Sequence, residues 1–402
     1  MLHVLYLAHD LADPAVRRRV LTLQAGGARI TLAGFRRDEN RLAAVHGINP
    51  IELGRTRDAK FAQRMAAVAK ASFALSSHLR HVEKPDVIIA RNLEMLAVAN
   101  RAARLFGGDI PVVYECLDIH RLLLRGDAAG KTIRGAEYYL GRNAKLLITS
   151  SPAFVENYFR PLSGLDLPVL LLENKVLALD DDDEKVSLRP RAPQAGEPWK
   201  IGWFGALRCR KSLELLAAFS RRMEGKFEIV LRGRPAYSEF DDFDAFVQRE
   251  PFLSFHGPYK NPEDLSAIYN EVQFSWAIDF FEEGQNSGWL LPNRLYEGCL
   301  HGAVPIAFEG TETARFLAGK KIGLAVQKAD AEHLAAVLGS LDENRYLDAF
   351  AAVAAHDREH WITDRADCRT LVQRLAAIAR QGPKTAPSHA LSQPHRNEGE
   401  LL

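Results

Sequence analysis

Apolar residues fall along this chain in short unbroken runs, separated by longer stretches with helical periodicity. Leu2–Ala8 is the first run. Asp13 and Pro14 then open a helix, an N-cap acid followed by a first-position proline, and Gly26-Gly27 closes it. Val16, Val20 and Leu23 give that helix one apolar face. Arg29–Leu32, Asp86–Ala90, Pro111–Cys116, Lys145–Thr149 and Pro168–Leu172 follow as strands. Strands without alternation, spaced by helices, predict a parallel sheet covered on both faces.

Residues 176–198 interrupt the pattern. An acidic run joins a Pro/Gly-rich stretch there, which is linker composition. The alternation restarts with strands at Trp199–Gly205, Phe227–Gly233, Leu253–Gly257, Val272–Asp279, Ala303–Glu309 and Ile322–Gln327, and Asn261-Pro262 is expected to cap the helix before Leu265. Two α/β sandwiches in series leave a cleft between them. The 402-residue length agrees with two domains. The stretch from 383 onward is polar and proline-containing and reads as a disordered tail.

Net charge is +1 and carries no message, but its distribution does. Residues 1–180 hold 25 Lys and Arg against 18 Asp and Glu, and the remainder holds 27 against 33. A basic first half suits an anionic surface. Residues 54–84 are basic and helical, with Phe61, Met65, Val68 and Phe73 interleaved. Such a helix either lies on anionic lipid or packs on its own sheet. Cys116, Cys209, Cys299 and Cys368 are far apart and suggest neither disulfides nor zinc. The N-terminus reads as a strand rather than a signal peptide, and no apolar run is long enough to span a membrane. Cytoplasmic residence is expected, with any membrane contact peripheral, at the inner face.

The segment Gly288–Phe308, GWLLPNRLYEGCLHGAVPIAF, holds the densest candidate chemistry. Pro292 and Asn293 start a short helix that Gly302 ends. Asn293, Glu297 and His301 recur every fourth residue on one face, with Arg294 beside them. A carboxylate near the carboxyl ends of a sheet can accept both hydroxyls of a ribose, and an adjacent Arg can bind phosphate. This segment resembles the donor-binding motif of GT-B-fold glycosyltransferases, of the family-4-like group. The overall tone is similar to bacterial exopolysaccharide transferases such as those of succinoglycan assembly.

The resemblance implies two Rossmann-like domains facing a central cleft: an acceptor-binding domain at 1–178, with a helix at 363–380 packing back on it, and a donor-binding domain at 199–362. By it, Glu297 holds the nucleotide ribose and Arg294 lies near the diphosphate or sugar. Many retaining members carry a second Glu eight residues earlier. Trp289 stands at that position, so retaining and inverting chemistry both stay open.

IGWFGALRCRKS, Ile201–Ser212, joins a strand through Gly205 to a helix start with Arg208, Arg210 and Lys211. Helix N-termini bind phosphate. The segment is similar to the family's loop that neutralises the departing diphosphate, and Arg208 and Lys211 are the choices for that role. Tyr259 follows His256-Gly257 and either stacks on uracil or fills the core.

On the acceptor side, His9, Asp10 and Asp13 follow the first strand, Asp13 being the N-cap, and Arg91–Met95 is a polar loop. Glu115, Asp118 and His120 follow another strand and are expected to face the cleft. An inverting transfer needs a base for the acceptor hydroxyl. Asp118 is the first candidate, with Glu115 behind it, while His120 suits a sugar hydroxyl. The other reading has Asp118 capping a local helix and His120 merely exposed.

No metal site is expected, since the acidic run Asp180–Asp183 lies in the linker. The implied partners are a nucleotide-sugar donor, a UDP-sugar first, and a saccharide or lipid-linked saccharide acceptor, with no nucleic acid and no resident cofactor. A nucleotide-sugar epimerase of the same fold and a non-catalytic sugar-nucleotide sensor are the alternatives.

Overall fold

The structure is a computed structural model that describes residues 1–37, 44–56, 61–179 and 188–381. The expected tail from 383 and the core of the acidic linker, 180–187, lie outside the described residues.

The first half builds a seven-stranded parallel sheet from β1 (His3–Ala8), β2 (Arg29–Arg36), β3 (Ile51–Arg55), β4 (Val87–Arg91), β5 (Val112–Glu115), β6 (Leu146–Thr149) and β7 (Val169–Leu171), in the order β3-β2-β1-β4-β5-β6-β7. Helices α1 (Pro14–Ala25), α2 (Phe61–His78), α3 (Leu93–Leu105) and α4 (Ala128–Gly141) belong to the same half. One apolar cluster on each side of the sheet covers it, so the middles of β1 and β4 are unbroken apolar runs, while Arg91 and Glu115 stand at the carboxyl ends of β4 and β5. The strand β3 was not expected: IELGR is an edge strand, mostly half-buried, and gives little apolar signal.

After a short strand β8 (Val176–Leu177), the second half builds a six-stranded parallel sheet, β11-β10-β9-β12-β13-β14. Its strands are β9 (Trp199–Leu207), β10 (Phe227–Pro235), β11 (Leu253–Phe255), β12 (Phe274–Trp276), β13 (Val304–Phe308) and β14 (Leu324–Val326). Three of its helices frame the site: α5 (Arg210–Arg222), α6 (Leu265–Asn270) and α7 (Asn293–Leu300). In each sheet the order reverses beside its first strand, between β1 and β4 and between β9 and β12. Ligands of open α/β sheets bind outside the carboxyl ends at such a point.

The halves are tied at the back. The stretch read as linker begins by pairing β8 with β15 (Ile362–Thr363). Beyond the undescribed residues, Leu188 and Ala192 pack on the second core, and Arg191 donates to the His301 carbonyl. Helix α8 (Arg365–Arg380) returns to the first domain, where Leu371, Val372 and Leu375 enter its core. Gly26 permits that return: a Cβ there would lie 2.3 Å from the Cys368 carbonyl oxygen.

Candidate functional site

On the second domain the site grows from the ends of β9 and β10. These strands stay paired through Leu207 and Pro235. Gly205 has φ +109 and Gly233 φ +132, and a Cβ on Gly233 would sit 1.9 Å from the Gly205 carbonyl oxygen. Only glycine allows that close approach. Immediately beyond lies α5, whose first turn holds no acid and whose N-cap Cys209 accepts the Ser212 N–H on its Sγ at 3.4 Å; the positive dipole end there favours an anion.

The basic side chains of this turn diverge. Arg208 stacks on Phe281, its Cζ 4.6 Å from the ring centre, and donates to Asp279 at 3.4 Å. Lys211 pairs with Glu283 at 2.6 Å and lies over Phe280. Arg210 is held outside by Asp241. Thus Arg208 and Lys211 both meet the loop 279–289 that follows β12.

Helix α7 carries the acid. Glu297 is only 4% exposed; Asn261 donates to its Oε1 at 2.7 Å and Tyr269 to its Oε2 at 3.1 Å. Burial raises its pKa, opposed by those hydrogen bonds and by Arg18 and Arg294. A carboxylate has about four lone-pair sites, so two remain for a diol. Asn261, expected to cap α6, thus turns to Glu297, and α6 starts at Leu265. Arg294 is buried and donates to the Ile278 carbonyl at 2.7 Å, while its Nε has no hydrogen-bond partner. Asn293 is exposed at the first position of α7. Tyr259 is half-buried, edge-on to Phe204, with its hydroxyl 3.9 Å from where a Gly205 Cβ would be. It therefore packs on the core and borders the glycine turn.

On the first domain a cavity of about 210 Å³ opens beside β5, lined by His9, Arg37, Arg64, Glu94, Asp118 and His120 among others. Asn92, at φ +66, begins α3 in a backbone region that side chains rarely adopt and brings its amide 3.3 Å from His9 Nδ1. Burial, then Arg91, lowers the His9 pKa to about 4, so its ring is neutral near pH 7. His120, not Asp118, caps the turn Arg121–Leu124, its Nδ1 accepting from the Leu122 N–H at 3.3 Å. Its Nε2 lies 3.2 Å from Arg64 Nη2, and burial followed by Arg64 lowers its pKa.

Asp118 is open to cleft solvent yet crowded by both domains, and burial raises its pKa against the pull of Arg208. Glu115 corrects the sequence reading. It does not face the cleft: it is fully buried, bound by Arg19 at 2.6 Å, Arg91 at 3.2 Å and the Tyr6 hydroxyl at 2.6 Å. Burial alone would raise its pKa, but the two guanidiniums win and hold it at about 2. A base must reach the acceptor proton, and this carboxylate is occupied by the core.

The two sides meet through the loop 279–289. Asn286, absent from the sequence reading as a site residue, donates to Asp118 Oδ1 at 2.8 Å and to the Ile119 carbonyl at 2.6 Å. Trp289 accepts from Ser151 Oγ at its carbonyl and sets its ring edge-on to Phe154. Asn174 donates to the Leu291 carbonyl at 2.8 Å. Among the described residues, no group of three or more His, Cys, Asp and Glu is arranged to hold a metal ion, and no helix is long and apolar enough to cross a membrane.

Residues 2–170 match the family described as Glycosyl transferase 4-like domain. The full chain is 64% identical to the succinoglycan biosynthesis protein ExoL of Rhizobium meliloti (strain 1021), with all of both chains covered. Among solved structures it is similar to sucrose-phosphate synthase from Thermosynechococcus elongatus (TM-score 0.64, 17% identity, 95% of this chain and 97% of that one). It is equally similar to Anabaena HepE in complex with UDP-glucose (TM-score 0.64, 15% identity, 95% and 100%). The lipopolysaccharide outer core galactosyltransferase WaaB follows at TM-score 0.61, 14% identity, 94% and 99%. At these identities the likeness shows the fold, and that fold is GT-B.

Proposed function

This chain belongs to the glycosyltransferase family of the succinoglycan biosynthesis protein ExoL, and we propose that it transfers a hexose from a UDP-sugar to a saccharide acceptor, lipid-linked, with inversion at the anomeric carbon. The observation that carries this reading is the meeting of Asp118 with the donor-side loop, through Asn286, at the mouth of the acceptor-side cavity.

Glu297, steadied by Asn261 and Tyr269, accepts the two ribose hydroxyls. The diphosphate lies against the Gly205 turn and the start of α5, where no Cβ obstructs it. Arg208 and Lys211 exchange their present carboxylate partners for phosphate oxygens, and the unpartnered Arg294 Nε supplies a further donor. Negative charge on the leaving UDP grows as the glycosidic bond breaks, so these cations stabilise the transition state more than the ground state. No metal is needed for that neutralisation.

The acceptor sugar occupies the cavity beside Asp118, with His9 and His120 as neutral hydrogen-bonding groups for its hydroxyls. Asp118 takes the proton of the attacking hydroxyl. Its raised pKa makes it a stronger base than an ordinary carboxylate. Inversion is favoured over retention because Trp289, in place of the second acid, is committed to Ser151 and Phe154. An acceptor cavity beside the base also favours a transferase over an epimerase, which has no second sugar to seat. The exposed apolar side chains of α2 and α4, Phe73 (87%), Tyr138 and Tyr139, support the lipid-linked acceptor. The test is acceptor-dependent release of UDP by the purified chain, with the anomeric configuration of the product read directly.

A further inference from the structure

The loop 279–289 leaves the donor-side sheet after β12 and crosses to the other domain. It is braced on both sides of Asn286: within the loop Ser287 Oγ accepts from the Glu282 N–H at 2.7 Å, and further on the Trp289 carbonyl accepts from Ser151 of the first domain. Asn286 itself is 2% exposed, although it lies between domains. Its Nδ2 has two protons, and both are spent on the opposite domain, one on Asp118 Oδ1 and one on the Ile119 carbonyl. These partners are 168 and 167 residues away in sequence. A buried amide directed in this way fixes the rotamer of the carboxylate it holds. The Asn286 amide holds Oδ1, and the Ile119 backbone also bonds the carboxylate, so its orientation is fixed while the side chain stays open to cleft solvent. The same loop carries Asp279 and Glu283, the present partners of Arg208 and Lys211. One short segment therefore touches the diphosphate cations and the acceptor base together.

We propose that Asn286 is a positioning residue that orients Asp118 across the domain gap, so that the base is set only when the donor-side loop is seated. The inference rests on the reading of Asp118 as the base. The charged groups around Asp118 are Arg208 from the end of β9, Asp279 and Glu282 from the loop, and, in its own domain, His120, Arg64 and Glu94 along the cavity. The Asn286 N–H stabilises the charged carboxylate, so its loss raises the Asp118 pKa further. The base works deprotonated, and the acid limb of the kcat profile then moves to higher pH.

The experiment compares the full-length wild type with N286A, N286D and D118N, measuring kcat against pH, KM for donor and acceptor, and UDP affinity. N286A is expected to lower kcat about 10- to 100-fold, the worth of a hydrogen bond to a charged group, with UDP affinity within about twofold. Its acid limb moves alkaline, and that of N286D moves further because a second negative charge faces Asp118. A merely structural asparagine lowers kcat without moving the limb, and that result overturns the inference, as does an unchanged kcat. If N286A unfolds, N286Q keeps a neutral amide but displaces it from Asp118, and the position of its acid limb decides the question in the same way. D118N separates the two readings. Full activity of D118N removes the base itself, whereas an inactive D118N with an unmoved limb in the Asn286 variants removes only the positioning role.

Discussion

The side-chain amide of Asn261 donates to Glu297 Oε1 at 2.7 Å, joining the loop after β11 to the acid of α7. A carboxylate held in this way is ready for a ligand with little reorganisation. If Glu297 accepts both ribose hydroxyls as proposed, Glu297→Ala should weaken UDP binding about 10- to 100-fold. Asn261→Ala leaves the acid but frees its orientation, so a smaller loss is expected. Titration calorimetry with UDP measures both, and equal affinity in folded Glu297→Ala places the nucleotide elsewhere.

Arg208→Ala should lower kcat more than donor affinity, since its cation acts most on the charge that appears as UDP leaves. Lys211→Ala should do the same less strongly, because its amine is held by both oxygens of Glu283, at 2.6 and 2.7 Å, whereas Arg208 meets Asp279 only at 3.4 Å. Steady-state kinetics decide the matter: a rise in KM at constant kcat would contradict the assignment.

Glu115 is expected to support stability rather than chemistry. Removing one partner of a buried pair costs about 3–5 kcal/mol because the other charge is stranded. Glu115→Gln should therefore lower the melting temperature strongly. The carboxyl is held at about 2, below its unfolded value, so its contribution is present above the ordinary carboxylate range and is lost as pH falls toward 2. The gap in stability between wild type and Glu115→Gln should narrow over that acid interval. Thermal melts from pH 7 downward test this, and equal melting temperatures at pH 7 would refute it.

Helix α2 packs one face on its own domain, which leaves binding to anionic lipid to be tested on the other. Val68, Ala71 and Leu75 enter the core, while Met65 and Phe73 stay outside with Lys70. Phe73→Ala with Lys70→Glu should reduce sedimentation with anionic vesicles, and salt should weaken binding of the wild type. Arg64 is unsuited to this test because it lines the cavity beside Asp118 and meets Glu94. Equal recovery with anionic and neutral vesicles would leave the charge asymmetry as solvation only.

Both sheets were legible in the sequence because their central strands are buried on two faces and so carry short apolar runs without alternation, such as Val4–Ala8 and Ile229–Leu231. The strand β3 was not, since an edge strand with Glu52 and Arg55 lacks that signal. The motif around Glu297 was readable as helix, glycine and strand, yet its supports were not. Asn261 and Tyr269 come from 36 and 28 residues away. Glu115 and Asp118 look alike in sequence, both acids at the end of one strand. What separates them is Arg19, brought from 96 residues away to bury one and not the other. Asn286 left no local signal, because its partners belong to the opposite domain.

The most direct test of an inverting transfer driven by Asp118 is the configuration of the new bond. The purified chain is given a UDP-hexose with an α-linked sugar and an oligosaccharide acceptor, and the anomeric proton coupling of the product is read by NMR, for wild type and Asp118→Asn. The prediction is a β-linked product. General-base catalysis contributes about 10²- to 10⁴-fold, so Asp118→Asn should lose at least about a hundredfold in turnover while binding UDP as before. An α-linked product, or full turnover by Asp118→Asn, would contradict it.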